Sequence, residues 1–409
     1  MSAPAADRVP LWRMSGIQLL LESGAMLNSI AFFAAMPFAS LYLSDHTHLS
    51  KPAIGAVVGA ICLIAACGGF AGGALVDRFG ATRLMRIGLL ADVIVYGLLA
   101  TVRSPGAIVA LILMLGPARL LVEPAGKKLL SQAMAGHARA FRVRYMTLCV
   151  GAIAGPAIGG VLYHVSPSAF FAVPAVFYGA YMVLVTVRRR RLAELEAQSG
   201  AGAAAKGSLT TALRDRRLLA VVGAGIVIFI VFSQLESMIP LYIKGLYGNQ
   251  GQSVYTALFI TNAVLALAFQ LPIDRVSAKL GRNVLIALGC VAFALSFVCF
   301  WASSASIVFL FAGIAIWTVG EGILLPMPDM AVHEIAGDNQ KGVYFGLSDV
   351  RQAGFFFGPL VGGFLLGSNA TVYFAVMGSL IFLCAPLLFR GSVVPVTTQE
   401  SPEKVMADG

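Results

Sequence analysis

Ionisable side chains lie inside long apolar stretches of the sequence, where a charge that faces lipid costs about 2.5–3.5 kcal/mol. A carboxylate beside an arginine in a medium of low dielectric can bind and release a proton as its surroundings change. Acids outnumber bases in this set, which favours protons and cationic or neutral amphiphiles over free anions. The residues are Glu22, Asp92, Arg119, Glu123, Glu236, Glu321, Asp329, Asp349 and Arg351.

The sequence lacks the common motifs of catalysis and nucleotide binding. We find no Walker phosphate-binding motif, no GxSxG nucleophile motif and no HExxH zinc motif. The six cysteines lie in apolar runs without a CxxC pair, so we predict small buried side chains and no disulfide framework. We therefore expect no enzymatic activity, no cofactor and no metal site. The cysteines are Cys62, Cys67, Cys149, Cys290, Cys299 and Cys384.

The composition excludes a large soluble catalytic domain. Of the 409 residues, 58% are apolar and only 12% are charged, with a mean hydropathy of +0.85. A bilayer span needs about 20 apolar residues, so the chain supplies enough for about twelve spans. The net charge of +10 does not indicate nucleic-acid binding, because the basic residues concentrate in short connectors.

The elements that must position the embedded charges are twelve apolar segments. Backbone polar groups inside a bilayer must be satisfied within their own segment, so each segment is predicted to be a helix. The alternating pattern of a β-barrel is not seen. Numbered in chain order, segments 1 to 12 are 15–43, 53–76, 84–102, 106–126, 143–163, 168–187, 218–243, 253–273, 283–302, 305–328, 343–366 and 369–389.

One long connector divides the segments into two groups of six. It opens with four consecutive arginines and continues through a Gly/Ala run, which is typical of a flexible linker. The first residues lack an apolar core with a cleavage site, so no removable signal peptide is expected. The predicted domains are an N-terminal tail (1–14), a six-helix bundle (15–187), a cytoplasmic linker (188–217), a second six-helix bundle (218–390) and a C-terminal tail (391–409).

The placement of basic residues predicts the orientation of the chain. Most of the 29 Lys and Arg lie in the tails, the linker and the connectors on one side of the segments. Connectors of the other side hold only Lys51, Arg103 and Lys244. Cytoplasmic loops carry the excess of basic residues, so both termini are expected to be cytoplasmic.

Two motifs recur about half a chain length apart, which indicates parallel repeats of the two halves. An Asp-Arg pair follows segment 2 and again segment 8, at Asp77-Arg78 and Asp274-Arg275. A stripe of small residues on segment 5 is repeated on segment 11, and such stripes let helices approach closely. Gly55 and Gly59 are candidates for a stripe that faces them. The repeated sets are Gly151, Gly155, Pro156, Gly159 and Gly160, and Gly354, Gly358, Pro359, Gly362 and Gly363.

These motifs resemble the major facilitator superfamily. The stretch from Gly73 to Arg83 is similar to that family's G-x-L-x-D-R-x-G signature between helices 2 and 3, although Ala81 and Thr82 stand where a basic residue is usual. The segment 5 motif resembles the signature of its proton-driven antiporters. The resemblance covers about residues 14–390 and is nearest to the twelve-span drug/proton antiporter branch. It implies an all-α membrane protein in which two pseudo-symmetric six-helix bundles surround a central cavity.

The resemblance also implies roles for particular residues. Arg119 matches an embedded arginine of such antiporters and Glu22 their segment 1 acid, so we expect Glu22 to be the principal proton site, tuned by Arg119. The candidate cavity residues are Glu22, Arg119, Glu123, Glu236, Glu321 and Arg351, and the aromatic candidates are Trp317, Tyr242, Phe355 and Phe356. The candidate gating residues are Gly73, Asp77, Arg78, Gly80, Arg83, Asp274 and Arg275.

For several of these residues, interpretations without a direct role in transport stay open. Arg119 and Glu123 are four residues apart and can pair on one helix face. Asp92 can be structural, and Glu236 can lie at the cavity rim. Asp329 and Asp349 can be solvated gate residues, whereas Glu321 can face Arg119 across the cavity.

The sequence therefore predicts a secondary active transporter, with proton-coupled efflux of small amphiphilic or cationic molecules such as drugs as the favoured activity. The alternatives are proton-coupled uptake, transport of one specialised metabolite, and a non-transporting sensor or lipid-handling protein. Expected partners are a small-molecule substrate, protons and the lipid bilayer, without nucleic acid. We expect a monomer in a bacterial-type inner membrane.

Overall fold

The computed structural model describes residues 16–67, 73–133, 139–198, 209–277, 279–336, 344 and 347–391, and within these ranges it is helical without a β-strand. In the first half the helices are α1 Gly16–Ala35, α2 Ala39–His46, α3 Lys51–Cys67, α4 Gly73–Phe79, α5 Ala81–Leu99, α6 Pro105–Ala133, α7 Arg139–Val165 and α8 Pro167–Val187. The connector contains α9 Arg189–Gln198 and α10 Leu209–Arg214.

The second half repeats this arrangement. Its helices are α11 Arg216–Phe232, α12 Gln234–Ser237, α13 Ile239–Tyr247, α14 Gly251–Ser277, α15 Arg282–Ala302, α16 Ile307–Leu324, α17 Met327–Ile335, α18 Gly354–Ser368, α19 Ala370–Leu380 and α20 Cys384–Gly391. Short 3₁₀ turns lie at Met36–Phe38, Gly248–Gln250, Asp349–Ala353 and Ile381–Leu383.

The apolar helices confirm an all-α membrane protein. Seven helical stretches of the described ranges are long and apolar enough to cross a bilayer. Segments 2, 3, 5 and 11 are not among these seven stretches. The apolar parts of α3 (segment 2) and α7 (segment 5) are shorter, and α5 (segment 3) carries three charges. The helix α18 (segment 11) has only 15 residues and follows a 3₁₀ turn. The count of twelve spans stays a prediction. The seven stretches are Gly16–His46, Pro105–Leu130, Pro167–Val187, Arg216–Gln270, Arg282–Ala302, Ile307–Ile335 and Ala370–Gly391.

Prolines interrupt segments 1 and 7 at corresponding places. Pro37 lies in the 3₁₀ turn after α1, and Pro240 lies in the first turn of α13. Each lacks an N–H donor and clashes with the carbonyl four residues earlier, which ends the preceding helix. Segment 7 consists of α11, α12 and α13, and the break before Pro240 separates α12 from α13. Glu236 lies on the four-residue α12, beside the backbone that Pro240 disrupts.

The two glycine stripes hold equivalent helix pairs together. A Cβ at any of these glycines would collide with the neighbouring helix, so the backbones approach as closely as only glycine allows. In the first half Gly151, Gly155 and Gly159 of α7 lie against Ser29, Phe33 and Ala34 of α1. In the second half Gly354, Gly358 and Gly362 of α18 lie against Ile226, Ile230 and Gln234 of segment 7.

The adjoining glycines join one half to the other. Gly160 of α7 lies against Thr256 of α14, and Gly363 of α18 lies against Pro52 of α3. Gly55 and Gly59 of α3, the candidates for the facing stripe, lie against the backbone of α18 at Pro359 and Phe356. The same motif therefore serves packing within a half and contact between halves.

The connector between the halves differs from the predicted flexible linker. Its first part is the helix α9, in which Leu192 is fully buried. The Glu196 carboxylate accepts hydrogen bonds from the backbone N–H groups of Ala81 and Thr82, at 2.7 and 3.0 Å, and from the Thr82 hydroxyl at 2.7 Å. These bonds cap the N-terminus of α5, so this part of the connector is a packed helix, while the bounds of the linker stay a prediction. Residues 199–208 lie outside the described ranges.

Candidate functional site

A cavity of about 450 Å³ lies between the two halves. Its volume falls in the range of small-molecule sites, about 300–1,000 Å³. Eight of the predicted segments supply its wall: segments 1, 2, 4 and 5 of the first half and segments 7, 8, 10 and 11 of the second. The lining residues are Phe32, Phe33, Met36, Ile61, Cys62, Arg119, Ala152, Phe232, Leu235, Glu236, Phe259, Asn262, Ala263, Ala266, Glu321, Leu325, Gln352 and Phe355.

Three charged side chains line this cavity. Arg119 comes from α6 of the first half, whereas Glu236 and Glu321 come from α12 and α16 of the second half. Arg119 and Glu236 are close enough to interact electrostatically. Asn262 of α14 donates a hydrogen bond of 2.9 Å from its Nδ2 to Glu321. The cavity thus combines two carboxylates, one guanidinium and an amide in a largely apolar surrounding.

Phenylalanines form much of the remaining wall. The Arg119 guanidinium carbon lies 3.8 Å from the ring centre of Phe32, a cation–π contact. Phe355 lines the cavity, but the other three aromatic candidates lie elsewhere. Trp317 is fully buried among the rings of the second half, Tyr242 bonds to the Trp301 carbonyl, and Phe356 packs on α3. The phenylalanines of the wall are Phe32, Phe33, Phe232, Phe259 and Phe355.

A second, much smaller cavity of about 20 Å³ lies within the first half. Arg119, Glu123 and Asp92 line it together with Asn28, whose Nδ2 lies 3.4 Å from Glu123. Arg119 and Glu123 thus each have a contact on α1, at Phe32 and Asn28. Their contacts therefore extend beyond one helix face, and their roles stay a prediction.

Besides Glu123, two further candidate cavity residues lie apart from the central cavity. Glu22 is 4% exposed on α1, ten residues before Phe32 and thus about 15 Å away along the helix axis, and it is not a lining residue. Arg351 is paired with Asp329 at 2.6 Å and lies over the ring of Phe229. The structure therefore does not bring Glu22 to Arg119, and Arg351 joins segment 11 to segment 10. The role of each stays a prediction.

The candidate gating residues lie in α4, at the start of α5 and near the end of α14. Gly73 begins α4, and Gly80 ends it with a φ of +86°, a backbone conformation that favours glycine. Arg78 is exposed and lies 5.2 Å from the ring of Phe79, while Arg83 and Arg275 are exposed. The side chains of Asp77 and Asp274 lie outside the described part, so their role as a latch stays a prediction.

The opposite end of the bundle is closed by polar contacts between the halves. Lys244 of α13 forms an ion pair with Asp45 of α2 and donates to the Ser44 hydroxyl at 3.2 Å. Tyr163 donates a short hydrogen bond to the same Asp45. Gln252 donates from Nε2 to the Gly160 carbonyl at 3.0 Å. These contacts hold segments 1 and 5 against segments 7 and 8.

Sequence reasoning missed several lining residues. Asn262, Gln352 and Cys62 are single polar or small side chains within apolar runs. The amides Asn262 and Gln352 could have been recognised by residue type, because an amide that faces lipid has no hydrogen-bond partner. Which of them faces the cavity depends on the rotation of each helix about its axis, and that is visible only in the structure.

Comparison with known proteins also indicates a membrane transporter. Residues 21–350 and 251–407 match the sequence profile of the Major Facilitator Superfamily in two overlapping stretches. The chain is 29% identical over 377 residues to the uncharacterized MFS-type transporter YqjV of Bacillus subtilis, covering 89% of this chain and 91% of that relative. It is 24% identical to a Na(+), Li(+), K(+)/H(+) antiporter of Planococcus maritimus, covering 80% and 84% of the two chains.

Two further similarities extend over nearly the whole chain. The multidrug resistance protein MdtH of Klebsiella pneumoniae is 24% identical, with 90% of both chains covered. The crystal structure of the nucleoside transporter NupG superposes with a TM-score of 0.75 at 14% identity, covering 92% of this chain and 99% of that one, which shows the fold alone. The chain therefore belongs to the Major Facilitator Superfamily, and it is an integral membrane transporter of that fold.

Proposed function

We propose that this protein exports small amphiphilic or cationic molecules in exchange for protons, by alternating access. The observation that carries the proposal is the central cavity, in which Glu236 and Glu321 share a phenylalanine-rich wall with Arg119. Both acids come from the second half and the arginine from the first. Rocking of one half against the other therefore changes how strongly the arginine attracts the two acids.

Charge explains the exchange. With both carboxylates ionised, the cavity carries one negative charge more than Arg119 compensates, and such an excess is costly in low dielectric. Either a proton or a cationic substrate removes that excess. Because both compete for the same acids, binding of one favours release of the other. The phenylalanine rings supply apolar and cation–π contacts for the body of the substrate.

The relatives support export of this kind. One is named as a cation/proton antiporter and another as a multidrug resistance protein, each at 24% identity. On this proposal the protein works as a monomer in a bacterial-type inner membrane, with both termini in the cytoplasm. The Asp45–Lys244 end of the bundle is then the outer end. Glu22 contributes as a proton site outside the cavity wall.

The test uses everted vesicles with an acidified interior and a pH-sensitive dye. A panel of organic cations, neutral amphiphiles, sugars and weak acids is added in turn. We expect organic cations to trigger proton release from the vesicles. Release should be lost in Glu236→Gln and Glu321→Gln, and it should persist in Glu194→Gln, which changes an exposed carboxylate of α9.

Two outcomes would count against the proposal. If both glutamine variants keep wild-type proton release, these acids do not carry the exchange. If no compound triggers release from folded wild-type protein, proton antiport of such molecules is wrong, and uptake of labelled compounds into whole cells then tests symport.

A further inference from the structure

The small cavity of the first half encloses an acid that the proposed exchange in the central cavity does not use. Asp92 of α5 is 4% exposed and points into this space of about 20 Å³. That volume suffices for about one water molecule. The polar or ionisable residues around it are Asn28, Asp92, Tyr96, Arg119, Glu123 and Tyr178.

The Asp92 carboxylate lacks a hydrogen-bond donor among the residues that the structure describes. Arg119 and Glu123 act on it electrostatically from α6, and the Tyr178 and Tyr96 rings approach from α8 and from its own helix. Asn28 of α1 is directed to Glu123 instead. A buried carboxylate without a donor is costly, so this site favours a ligand that removes the charge.

The chemistry of the lining selects a proton. Asp92 and Glu123 carry two negative charges when ionised, and Arg119, which also faces Glu236, compensates at most one of them, so at least one further positive charge is needed to neutralise the cluster. A metal ion in so small a space would lie beside the Arg119 guanidinium, whereas a proton resides on a carboxylate oxygen. We propose that Asp92 and Glu123 form a proton-binding site of the first half, separate from Glu236 and Glu321.

Arg119 connects this site to the central cavity. Its side chain lines both spaces, as do Phe32, Met36 and Ile61. When the site is empty, its two carboxylates hold the guanidinium. When the site takes a proton, one carboxylate remains, and Arg119 interacts more strongly with Glu236 across the central cavity. This coupling step rests on the proposed proton exchange, but proton binding at Asp92 does not.

The test measures proton binding without substrate. Purified full-length protein is titrated in detergent, and pH-difference infrared spectra follow the carbonyl stretch of protonated carboxyl groups. We expect Asp92→Asn to lose one titrating band of a desolvated carboxyl group, and Asp92→Glu to retain a shifted one. Glu194→Gln removes an exposed carboxyl group instead and should leave that band unchanged. Thermal unfolding establishes that each variant is folded.

The outcomes separate the site from the transport proposal. An unchanged desolvated band in folded Asp92→Asn would overturn the proton site. If the Asp92 band titrates while no compound drives proton exchange in vesicles, the proton site stands and the transport proposal fails.

Discussion

Cys62 places a thiol in the wall of the central cavity, on α3. Because the proposed substrate fills this space, we expect a bulky thiol reagent on Cys62 to reduce transport at least about tenfold, the factor that a lost 1.4 kcal/mol of binding would give. Bound substrate should protect the thiol. The measurement is transport and mass-spectrometric labelling after treatment with an alkyl-maleimide.

The protein contains its own controls for this labelling. Cys290 and Cys384 are fully buried, with their sulfurs 3.5 Å apart, and should react slowly. Cys62→Ala should transport normally and resist the reagent. Inhibition of Cys62→Ala to the wild-type extent would show that the reagent acts elsewhere.

Asn262 stabilises the ionised form of Glu321 through its 2.9 Å hydrogen bond. A hydrogen bond to a charged group contributes about 1.5–3 kcal/mol. In Asn262→Leu the ionised carboxylate loses this bond, so proton release requires a higher pH. We expect the pH profile of transport to move upward by about one to two pH units, since one unit corresponds to about 1.4 kcal/mol.

Transport by wild type and Asn262→Leu, measured over a pH series at equal protein amounts, checks this expectation. Thr261→Val changes the neighbouring exposed hydroxyl, which bonds only within its own helix at Ala257, and should leave the profile unchanged. A profile that keeps its midpoint in Asn262→Leu would remove Glu321 from the proton-releasing step.

Residue types alone revealed the embedded acids but not their surroundings. Glu236 and Glu321 were recognisable because a charge in an apolar run is expensive. Their position in one cavity with Arg119 depends on helix rotation and on the break before Pro240. Glu22 has the same residue type in a similar run, yet it lies away from the cavity.

Gly155 allows the helices α7 and α1 to pack closely. A Cβ at this position would lie 2.6 Å from the Phe33 Cβ and 2.8 Å from the Ala34 backbone nitrogen. Gly155→Ala must therefore push α7 away from α1, and overpacking of this kind costs about 1–3 kcal/mol. We expect a lower unfolding temperature in detergent.

Gly97 is the matched control for that substitution. It lies in the helix α5, is exposed, and has open space where a Cβ would lie. Gly97→Ala should leave stability unchanged or raise it by about 0.5–1 kcal/mol. Equal unfolding temperatures of the two variants would mean that the glycine stripe does not control the approach of α1.

The helix α9 stabilises the fold, because its Glu196 caps the N-terminus of α5. Removing the carboxylate in Glu196→Ala leaves the N–H groups of Ala81 and Thr82 without this acceptor, at a cost of about 0.5–2 kcal/mol. Thermal unfolding in detergent measures this loss, with Glu194→Ala on the exposed face of α9 as control. Equal stability of the two variants would contradict the capping role.

The sequence predicted these two elements to different extents. The glycine stripe follows the helical repeat, so its face and its close packing were predictable. The helix α9 was not, because four arginines and a Gly/Ala run are typical of a solvated linker. Its folding depends on burial of Leu192 and on the hydrogen-bond donors at the start of α5, which are distant in sequence.

At the scale of the whole molecule, the internal repeat predicted which helix contacts and helix breaks recur in the two halves, whereas hydropathy predicted only the apolar segments. The paired glycine motifs occupy equivalent contacts, with α7 on α1 and α18 on α11. Pro37 and Pro240 break segments 1 and 7 at the same repeat spacing. The repeat cannot predict which end of the cavity is closed, because alternating access requires both states to be nearly equal in energy.

The ion pair between Asp45 and Lys244 biases that balance toward closure of its end. Both side chains are about one-third exposed, at 32% and 31%, so the pair contributes about 0.2–1 kcal/mol. Lys244→Gln should therefore raise the population open at this end by at most about fivefold. Spin-label distances measure the populations in a cysteine-free background, with one label pair at positions 48 and 249 and another at positions 127 and 333.

The two label pairs should respond in opposite directions. Opening at the Asp45 end lengthens the 48–249 distance and, if the halves rock as rigid bodies, shortens the 127–333 distance. The reversed pair, Asp45→Lys with Lys244→Asp, should restore the wild-type distribution, because attraction across the halves returns. If Lys244→Gln lengthens the first distance while the second stays fixed, the ends open independently, and the coupling on which proton-driven export depends is absent.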